Sequence, residues 1–226
     1  MAFFRCTGEG GSPAPVVSEP YLYNTDLVYF NTGHTHTVNT KVRLKGRFNW
    51  CYTYMQAFGA RAGSFQTNAF GFFSTFASPR PCFYRTGIEK DGSNYWAGEG
   101  DTTTMFFDSP VVIECEGNTA EWYKANDPQT VHTVTATGST VNAGIAPLAL
   151  FGCNGANYSD GWGPTDGAIM VFYWAEIYEN DVLVHRFVPA WHSGQYCLYD
   201  EVDEVYIYEA AGNYNRLHGS DNIPTT

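Results

Sequence analysis

The longest run of strand-forming residues in this chain lies between Asp166 and Tyr208, and it constrains the fold more than any other segment. Residues 169–178 are β-branched and aromatic almost throughout, and residues 182–188 have the same character. The intervening Glu-Asn-Asp at 179–181 is turn material, so we predict a β-hairpin here. Pro189 has no N–H to donate to a strand ladder, and we expect it to end the second strand.

The first strand of this hairpin also carries a prediction about its two faces. In a regular strand, successive side chains point to opposite sides of the sheet. We therefore expect one face to hold Ile169, Val171, Tyr173 and Ala175, and the other to hold Met170, Phe172 and Trp174.

Elsewhere the chain is a succession of short apolar segments separated by Gly, Asp, Asn or Pro. Between Val38 and Phe48, apolar residues alternate with a basic row, Lys41, Arg43, Lys45 and Arg47. This two-residue period predicts a strand with one buried face and one basic face open to water. No segment keeps the apolar period of about 3.6 residues that marks a helix, so we expect little helix. Turn signals at this spacing are typical of an antiparallel sandwich.

Residues 1–20 differ in composition from everything that follows. Gly, Ser and Pro make up most of residues 8–20, and such a segment forms neither a helix nor a central strand. We predict a flexible arm over 1–20 and one domain over 21–226, because single all-β domains often reach about 200–250 residues. Phe3 and Phe4 leave two interpretations, a disordered tail or an anchoring peptide whose rings dock on a neighbouring subunit.

Composition excludes several classes of protein. With 17% aromatic and 15% charged residues, the chain can bury a large core, so disorder is not expected. A net charge of -11 and the lack of a basic run argue against nucleic acid as a partner. The first residues lack the apolar segment of a secretory signal, and no apolar run approaches the roughly 18 residues that span a bilayer. We therefore expect synthesis in the cytoplasm and no membrane partner.

Motifs along most of the chain resemble, in the same order, the LamG-like and concanavalin A-like β-sandwich proteins of phage and prophage virions from gut bacteria. The matching segments are Tyr29-Phe30-Asn31-Thr32-Gly33, the strand Val38 to Phe48, Phe58-Gly59-Ala60-Arg61, Ile177-Tyr178, Phe187-Val188-Pro189, Leu198-Tyr199-Asp200, Tyr206 and Gly212. The resemblance implies an all-β fold, an antiparallel two-sheet jelly-roll sandwich. It also implies a virion location after synthesis in the host bacterial cytoplasm, other virion subunits as partners through the arm, and a homo-oligomer on the particle.

The loop from Gly152 to Gly167 is the leading candidate for a ligand site. It contains two aromatic and three polar residues of the kinds that bind sugars, Tyr158, Trp162, Asn157, Asp160 and Asp166. A ring face stacks on the C–H groups of a sugar while amides and carboxylates bind its hydroxyls. The alternative is an ordinary long loop packed by its own tryptophan. Trp96 and Trp191 are secondary candidates on the same grounds.

Metal-binding patterns in the sequence are weak. The cysteines show no C-x-x-C pair, which gives a zinc site little support, and we expect thiols and not disulfides at Cys6, Cys51, Cys82, Cys115, Cys153 and Cys197. His34 and His36 lack a third ligand at a suitable spacing, which favours a solvated loop. An oxygen-rich loop without the spacing of a calcium-binding loop is formed by Asn154, Asn157, Asp160 and Asp166. We expect no cofactor, with Ca²⁺ at this loop as the one alternative.

Catalytic motifs are equally weak. Glu201 to Val205 superficially matches the E-x-D-x-E strand of some glycoside hydrolases, whose alternate carboxylates share one face. Val205 stands where the third carboxylate is needed, so we expect no enzymatic activity. The leading hypothesis is a phage virion structural protein that displays a lectin-like sandwich for adhesion to host-surface or mucosal glycans. The alternatives are a capsid or tail decoration protein without a glycan ligand and, third, a glycosidase.

Overall fold

A computed structural model of the protein describes residues 19–48, 54–62, 67–75, 81–86, 109–135, 141, 143–156, 168–210 and 214–224. These residues form sixteen β-strands and a short 3-10 turn over Tyr214–Arg216, and they contain no α-helix. The prediction of an all-β chain with little helix is therefore confirmed over these ranges.

The strands follow one another along the chain in short lengths, as the spacing of the turn residues predicts. In chain order they are β1 (Leu22–Asn24), β2 (Phe30–Thr35), β3 (Thr40–Phe48), β4 (Tyr54–Ala62), β5 (Thr67–Thr75), β6 (Pro81–Thr86), β7 (Val111–Glu116), β8 (Thr119–Lys124), β9 (Asp127–Thr135), β10 (Pro147–Leu150), β11 (Asn154–Ala156), β12 (Met170–Glu179), β13 (Val182–His192), β14 (Gln195–Asp200), β15 (Val205–Ile207) and β16 (Leu217–Gly219).

These strands make two sheets. In sheet A the neighbours run β15-β14-β13-β12-β3-β7-β8-β9, and β1 pairs with both β12 and β16. In sheet B the order is β2-β10-β4-β5-β6, and β11 lies beside β4. Among the described strands every pairing is antiparallel except that of β11 with β4.

The two sheets pack their inner faces together into one apolar core. Phe72 of β5 contacts Trp122 of β8 across the interface, with ring centroids 6.0 Å apart. Phe151, just after β10, lies 5.5 Å from the ring of Phe30 and 5.2 Å from that of Phe172. All five side chains are buried. The fold is an antiparallel two-sheet jelly-roll sandwich, as predicted.

The predicted hairpin is present as β12 and β13. Asn180 and Asp181 form its two-residue turn with φ of 52° and 63°. Left-handed φ at both positions suits the twist of paired strands, and Asn and Asp tolerate it better than most residues. The prediction that Pro189 ends the second strand is wrong, because β13 continues to His192. Its ladder with β12 stops at Phe187, so among the described strands only β14 pairs with β13 there, and a missing N–H is tolerated.

A bulge in β12 changes which of its side chains face the core. Gly46 of β3 lies opposite Phe172 and Lys45 lies opposite Trp174, which leaves Tyr173 as an extra residue. One inserted residue moves every later side chain to the other face. The predicted alternation is therefore wrong beyond Phe172. The core-facing set is Met170, Phe172, Ala175 and Ile177.

The basic row on β3 is present, but it is not open to water as predicted. Burial alternates along Thr40–Phe48, with the basic side chains on the less buried face. Arg43 contacts Glu114 of β7 at 2.8 Å and Glu176 of β12 at 3.0 Å, and its guanidinium lies 5.6 Å from the ring centre of Trp174. Because carboxylates from both neighbouring strands cover it, only 30% of the Arg43 side chain is exposed. This outer face is a ladder of ion pairs.

Contacts with the sandwich begin just before the predicted domain boundary at residue 21. Glu19 forms an ion pair with Lys45 of β3. Residues 1–18, including Phe3 and Phe4, lie outside the described residues. The arm and its anchoring role therefore remain predictions.

Replacing Trp122 with alanine tests the packing between the sheets. Trp122 is 1% exposed and contacts Phe72 of the opposite sheet. We expect the free energy of unfolding in urea to fall by about 3–5 kcal/mol, because contacts are lost and a cavity remains. The control Val131→Ala on β9, where Val131 is 46% exposed, should change it by less than about 0.5 kcal/mol. Equal losses in the two variants would contradict this packing.

Candidate functional site

One end of the sandwich brings together four connections between strands, and we call it the turn end. Antiparallel pairing places there the β2–β3 connection and the β7–β8, β12–β13 and β14–β15 turns, at residues 36–39, 117–118, 180–181 and 201–204. Two groups of polar side chains lie just inside this end. An open depression lies on its outer surface.

Glu179 is the centre of the first polar group. Its carboxylate accepts hydrogen bonds from His34 Nε2 at 2.9 Å, from the Thr37 hydroxyl at 2.6 Å and from the Thr40 hydroxyl. His34 belongs to β2 of sheet B and Glu179 to β12 of sheet A, so this contact joins the two sheets. The His34 side chain is 13% exposed and that of Glu179 is 16% exposed. Water is therefore largely excluded from the contact between His34 and Glu179.

Burial and hydrogen bonding act in opposite directions on this pair. Burial alone would raise the pKa of Glu179, but the hydrogen bonds from threonine and histidine outweigh it, and the pKa lies below its ordinary value. Burial lowers the pKa of His34, and the neighbouring carboxylate only partly offsets that effect. Near neutral pH the network therefore holds a charged Glu179 and a neutral His34 that donates from Nε2.

The second polar group consists of His185, Asp200 and Asp203, which we call the His–Asp cluster. His185 Nδ1 lies 2.6 Å from Asp200 Oδ2 and 3.5 Å from Asp203 Oδ2. The Asp200 side chain is 1% exposed, and its Oδ1 accepts the backbone N–H groups of Arg186 at 3.0 Å and Val202 at 3.1 Å. A buried carboxylate with both oxygens bonded is held in one orientation.

Aromatic contacts orient the His185 ring. It is nearly parallel to the Phe187 ring, with 13° between the planes and 5.6 Å between the centroids. The His34 ring meets it edge-on at 5.2 Å, so the two polar groups are adjacent. The ligand atoms of the His–Asp cluster lie within 4.8 Å of one another. This spacing, with one nitrogen and two carboxylate oxygens, suits coordination of a single divalent cation.

The depression on the turn end has a volume of about 370 Å³. It is lined by Val38, Asn39, Glu116, Gly117, Asn180 and Asp181. Asn39 Nδ2 donates to Asn180 Oδ1 at 2.8 Å, and Lys41 bonds to Asp181 at 3.1 Å, so several of its polar groups already have partners. Its described lining contains no aromatic ring to stack on a sugar.

A row of aromatic rings lies on the outer face of β13, β14 and β15. We call His192, Tyr199, Tyr206 and Tyr208 the aromatic strip. Leu198 faces the core, so the alternation of β14 directs Tyr199 outward. The His192 and Tyr206 rings stack at 4.0 Å with 5° between their planes, and the Tyr199 ring lies 4.9 Å from Tyr206. The Tyr208 hydroxyl lies 2.5 Å from His192 Nδ1, and Tyr208 is 37% exposed.

The aromatic strip combines ring surface with hydrogen-bonding groups. Rings that stack on one another hold each other in position, and each tyrosine adds a hydroxyl. Desolvation and the nearby carboxylates of Glu204 and Glu201 raise the pKa of Tyr199, so its hydroxyl stays protonated at neutral pH. Such a surface can contact the C–H groups of a sugar and donate to its hydroxyls.

The residues that the sequence predicts for glycan binding lie outside the described part of the chain, namely Asn157, Tyr158, Asp160, Trp162 and Asp166. After this loop the described part of the chain resumes at Ala168. Asn24, 1% exposed, donates to the Ala168 carbonyl at 2.8 Å and accepts the Met170 N–H at 2.9 Å. Met170 begins β12, whose other end lies at the turn end. Ala168 is therefore at the opposite end of the sandwich from both polar groups.

Several other residues differ from their predicted settings. The prediction of a solvated loop at His34 and His36 is wrong, because the His34 side chain is 13% exposed and His36 is 1% exposed. Trp191 packs on Tyr196 at 4.6 Å and against the core, so it is not an open platform for a sugar. Residues 201–204 form a turn, which removes the strand alternation that a row of catalytic carboxylates needs.

Sequence reasoning misses the His–Asp cluster and the aromatic strip for the same reason. His185 is 15 residues from Asp200 in the chain, and the two meet only because β13 and β14 pair. His192 likewise meets Tyr206 across β14. The hairpin pattern is the feature of the sequence that could have indicated these contacts. If its second strand continues through Pro189, the two strands that follow, β14 and β15, can pair beside it.

Similarity to known proteins is low. No protein-family model and no curated protein matches the chain. Among solved structures, the chain is similar to a native heptameric SAP-like pentraxin from Limulus polyphemus, with 8% sequence identity, a TM-score of 0.35, and coverage of 74% of this chain and 77% of that chain. The strand pairing and the shared core define the fold. Within the described ranges, no helix is long and apolar enough to cross a membrane.

Lowering the pH should destabilise the protein through the Glu179 network. The folded-state pKa values of His34 and Glu179 lie below their ordinary values of 6.5 and 4.5, so the unfolded chain binds protons more readily at both sites. The contribution of His34 to stability is fully present above the ordinary pKa of histidine, and that of Glu179 is fully present above the ordinary pKa of glutamate. Each contribution is lost as the pH falls through the folded-state pKa of that residue. The melting temperature, measured in chelator-containing buffer, should therefore decline steadily from neutral pH into acid.

Two histidine variants separate this network from general acid effects. His34→Gln keeps a donor toward Glu179 but cannot be protonated. Its melting temperature should therefore fall less steeply than that of wild type in the part of the pH range nearest neutrality. His218→Gln is the control, because His218 stacks on Tyr23 at 5.0 Å, away from the turn end, and it should leave the slope unchanged. Parallel curves for wild type and His34→Gln would show that His34 plays no part.

Proposed function

We propose that the protein is a phage virion protein whose β-sandwich binds carbohydrate and attaches the particle to glycans of the host surface or of mucosal layers. The observation that carries the binding part of this proposal is the aromatic strip. Sugar-binding surfaces combine ring faces and edges with hydroxyl and amide donors, and the strip offers four rings in one row.

The position and rigidity of the strip support binding of an extended ligand. β15 is the terminal strand in the order of sheet A, and the strip runs across it and its neighbours on the outer face. The stack of His192 on Tyr206 and the contact of His192 with Tyr208 hold three of the rings before any ligand arrives. Less side-chain entropy is then lost on binding, which favours affinity from a small contact area.

The sequence resemblance supports the virion location. Two of the matching motifs, Phe187-Val188-Pro189 and Leu198-Tyr199-Asp200, lie opposite each other on β13 and β14, with each residue of one motif paired to a residue of the other. These strands also carry the aromatic strip. The motifs and the proposed binding surface therefore belong to one structural unit.

A second candidate function is decoration of a capsid or tail without a glycan ligand. The observation that favours it is a set of exposed apolar side chains on β13, β15 and the turn before β15, namely Val182 at 63%, Val202 at 43% and Val205 at 47% exposure. Exposed apolar side chains are frequent at contacts between subunits. A homo-oligomer on the particle would use such a surface under either function.

Glycan binding is tested on the isolated protein with a glycan array, followed by affinity measurements on any hit. Tyr206→Ala removes the ring that contacts both His192 and Tyr199, and we expect affinity to fall about ten-fold, the equivalent of about 1.4 kcal/mol. Tyr23→Ala is the matched control, because Tyr23 also stacks on a histidine, His218, but lies outside the strip. It should keep affinity within about two-fold.

The same assay separates the alternatives. An array without a hit would favour the decoration function. A hit whose affinity survives Tyr206→Ala but is lost in Trp162→Ala would move the site to the loop that the sequence predicts, at residues 152–167. Melting temperatures of all variants exclude unfolding as the cause of lost binding.

Deletion of residues 1–20 tests the proposed attachment to other virion subunits. If Phe3 and Phe4 anchor the sandwich, the truncated protein should fail to join particles yet keep nearly the same melting temperature, because among the described contacts it loses the part-exposed Glu19–Lys45 ion pair and no core side chain. The double variant Phe3→Ser, Phe4→Ser should fail in the same way. Normal incorporation of the truncated protein would show that the segment is a tail without an anchoring role.

A further inference from the structure

We propose that the His–Asp cluster is a binding site for a divalent transition-metal ion, with Zn²⁺ as the best match. This inference does not depend on glycan binding, because the cluster and the aromatic strip use different side chains. His185 supplies one nitrogen ligand, and Asp200 and Asp203 supply one carboxylate oxygen each. One imidazole with two carboxylates favours zinc over calcium, which prefers oxygen ligands throughout.

The distances in the cluster are close to those that a zinc ion needs. Ligand atoms about 2.1 Å from a tetrahedral zinc ion are roughly 3.4 Å apart from each other. His185 Nδ1 and Asp203 Oδ2 are already 3.5 Å apart. His185 Nδ1 and Asp200 Oδ2 are 2.6 Å apart, so this pair must open slightly to admit the ion. The required movement is within the range of small side-chain rotations.

Surrounding contacts orient two of the three ligands, and they leave the His185 ring free to shift within its own plane. Asp200 Oδ1 is fixed by the N–H groups of Arg186 and Val202, which leaves Oδ2 directed at His185. Phe187 stacks on the His185 ring and fixes its plane. Contacts of this kind orient the side chains that bind the metal directly, and they strengthen metal binding.

The third ligand and the charge balance suit an ion that enters from solvent. Asp203 lies on the β14–β15 turn with 55% of its side chain exposed, so it can adjust its position and leave a coordination place for water. Two carboxylates and a neutral imidazole together carry two negative charges, which balance the two positive charges of the ion. Arg186, next to His185 in the chain, is paired with Glu201 at 3.2 Å and is thereby partly neutralised.

Binding requires a change at the imidazole. The proton now between His185 Nδ1 and Asp200 Oδ2 must leave Nδ1, and a neutral ring then carries its proton on Nε2. The metal takes the place of that proton and bonds to Nδ1. Asp200 exchanges a hydrogen bond for a metal bond, so its buried negative charge remains compensated.

Zinc titration of the untagged, chelator-treated full chain tests the site. Competition with a chromophoric chelator should show one Zn²⁺ per chain, and Ca²⁺ should bind at least about ten-fold more weakly. Asp203→Asn should weaken Zn²⁺ binding about ten-fold or more, because one ligand is lost. Glu204→Gln is the matched control, since it removes the same charge from the same turn, and it should keep the affinity within about three-fold.

The outcomes distinguish a metal site from a structural ion pair and from thiol ligands. Asp203 is on an exposed turn, so the Asn variant should fold, and its melting temperature without metal should match that of wild type. Equal affinity of wild type and Asp203→Asn, or no Zn²⁺ binding at micromolar concentration, would overturn the proposal. With Co²⁺ as a probe, an intense near-ultraviolet band from thiolate ligands would place the ion on cysteines and would also overturn it.

Discussion

The antiparallel ladder between β3 and β12 is the pairing on which the rest of the structure depends. It runs from Thr40 opposite Glu179 to Phe48 opposite Met170, and sheet A extends from it in both directions. Its inner side chains form part of the core, and its outer side chains form the ladder of ion pairs around Arg43. Side chains alternate along β3 and on either side of the bulge in β12, so a slip of one residue would exchange these two faces. The register of this ladder therefore decides what is buried and what is charged.

The polar groups at the turn end add a second constraint, on how the two sheets meet. His34 of sheet B reaches Glu179 of sheet A only in one relative placement of the sheets. Burying a carboxylate is costly unless its oxygens are bonded, and here the hydroxyls of Thr37 and Thr40 complete the set. A network of this kind contributes less to stability than to specifying a single arrangement of the two sheets.

The His–Asp cluster and the aromatic strip occupy opposite faces of the same strands. Phe187 and Asp200 point toward the space between the sheets, whereas the adjacent Val188 and Tyr199 point outward. Asp200 and Tyr199 are neighbours in the chain, yet one belongs to the proposed metal site and the other to the proposed glycan surface. Because side chains alternate along β14, the paired strands β13, β14 and β15 carry the His–Asp cluster on one face and the aromatic strip on the other.

Local patterns in the sequence determined the β-hairpin after residue 169, the alternation over Thr40–Phe48 and the turn at Asn180–Asp181, because side-chain period and turn preference depend on nearby residues. The tertiary structure alone decided the bulge at Tyr173, the continuation of β13 through its proline, and the burial of His34. Each of these depends on the register between strands that are distant in the chain. The His–Asp cluster shows this most clearly, since its ligand atoms converge only when β14 pairs with β13 and the following turn returns over His185.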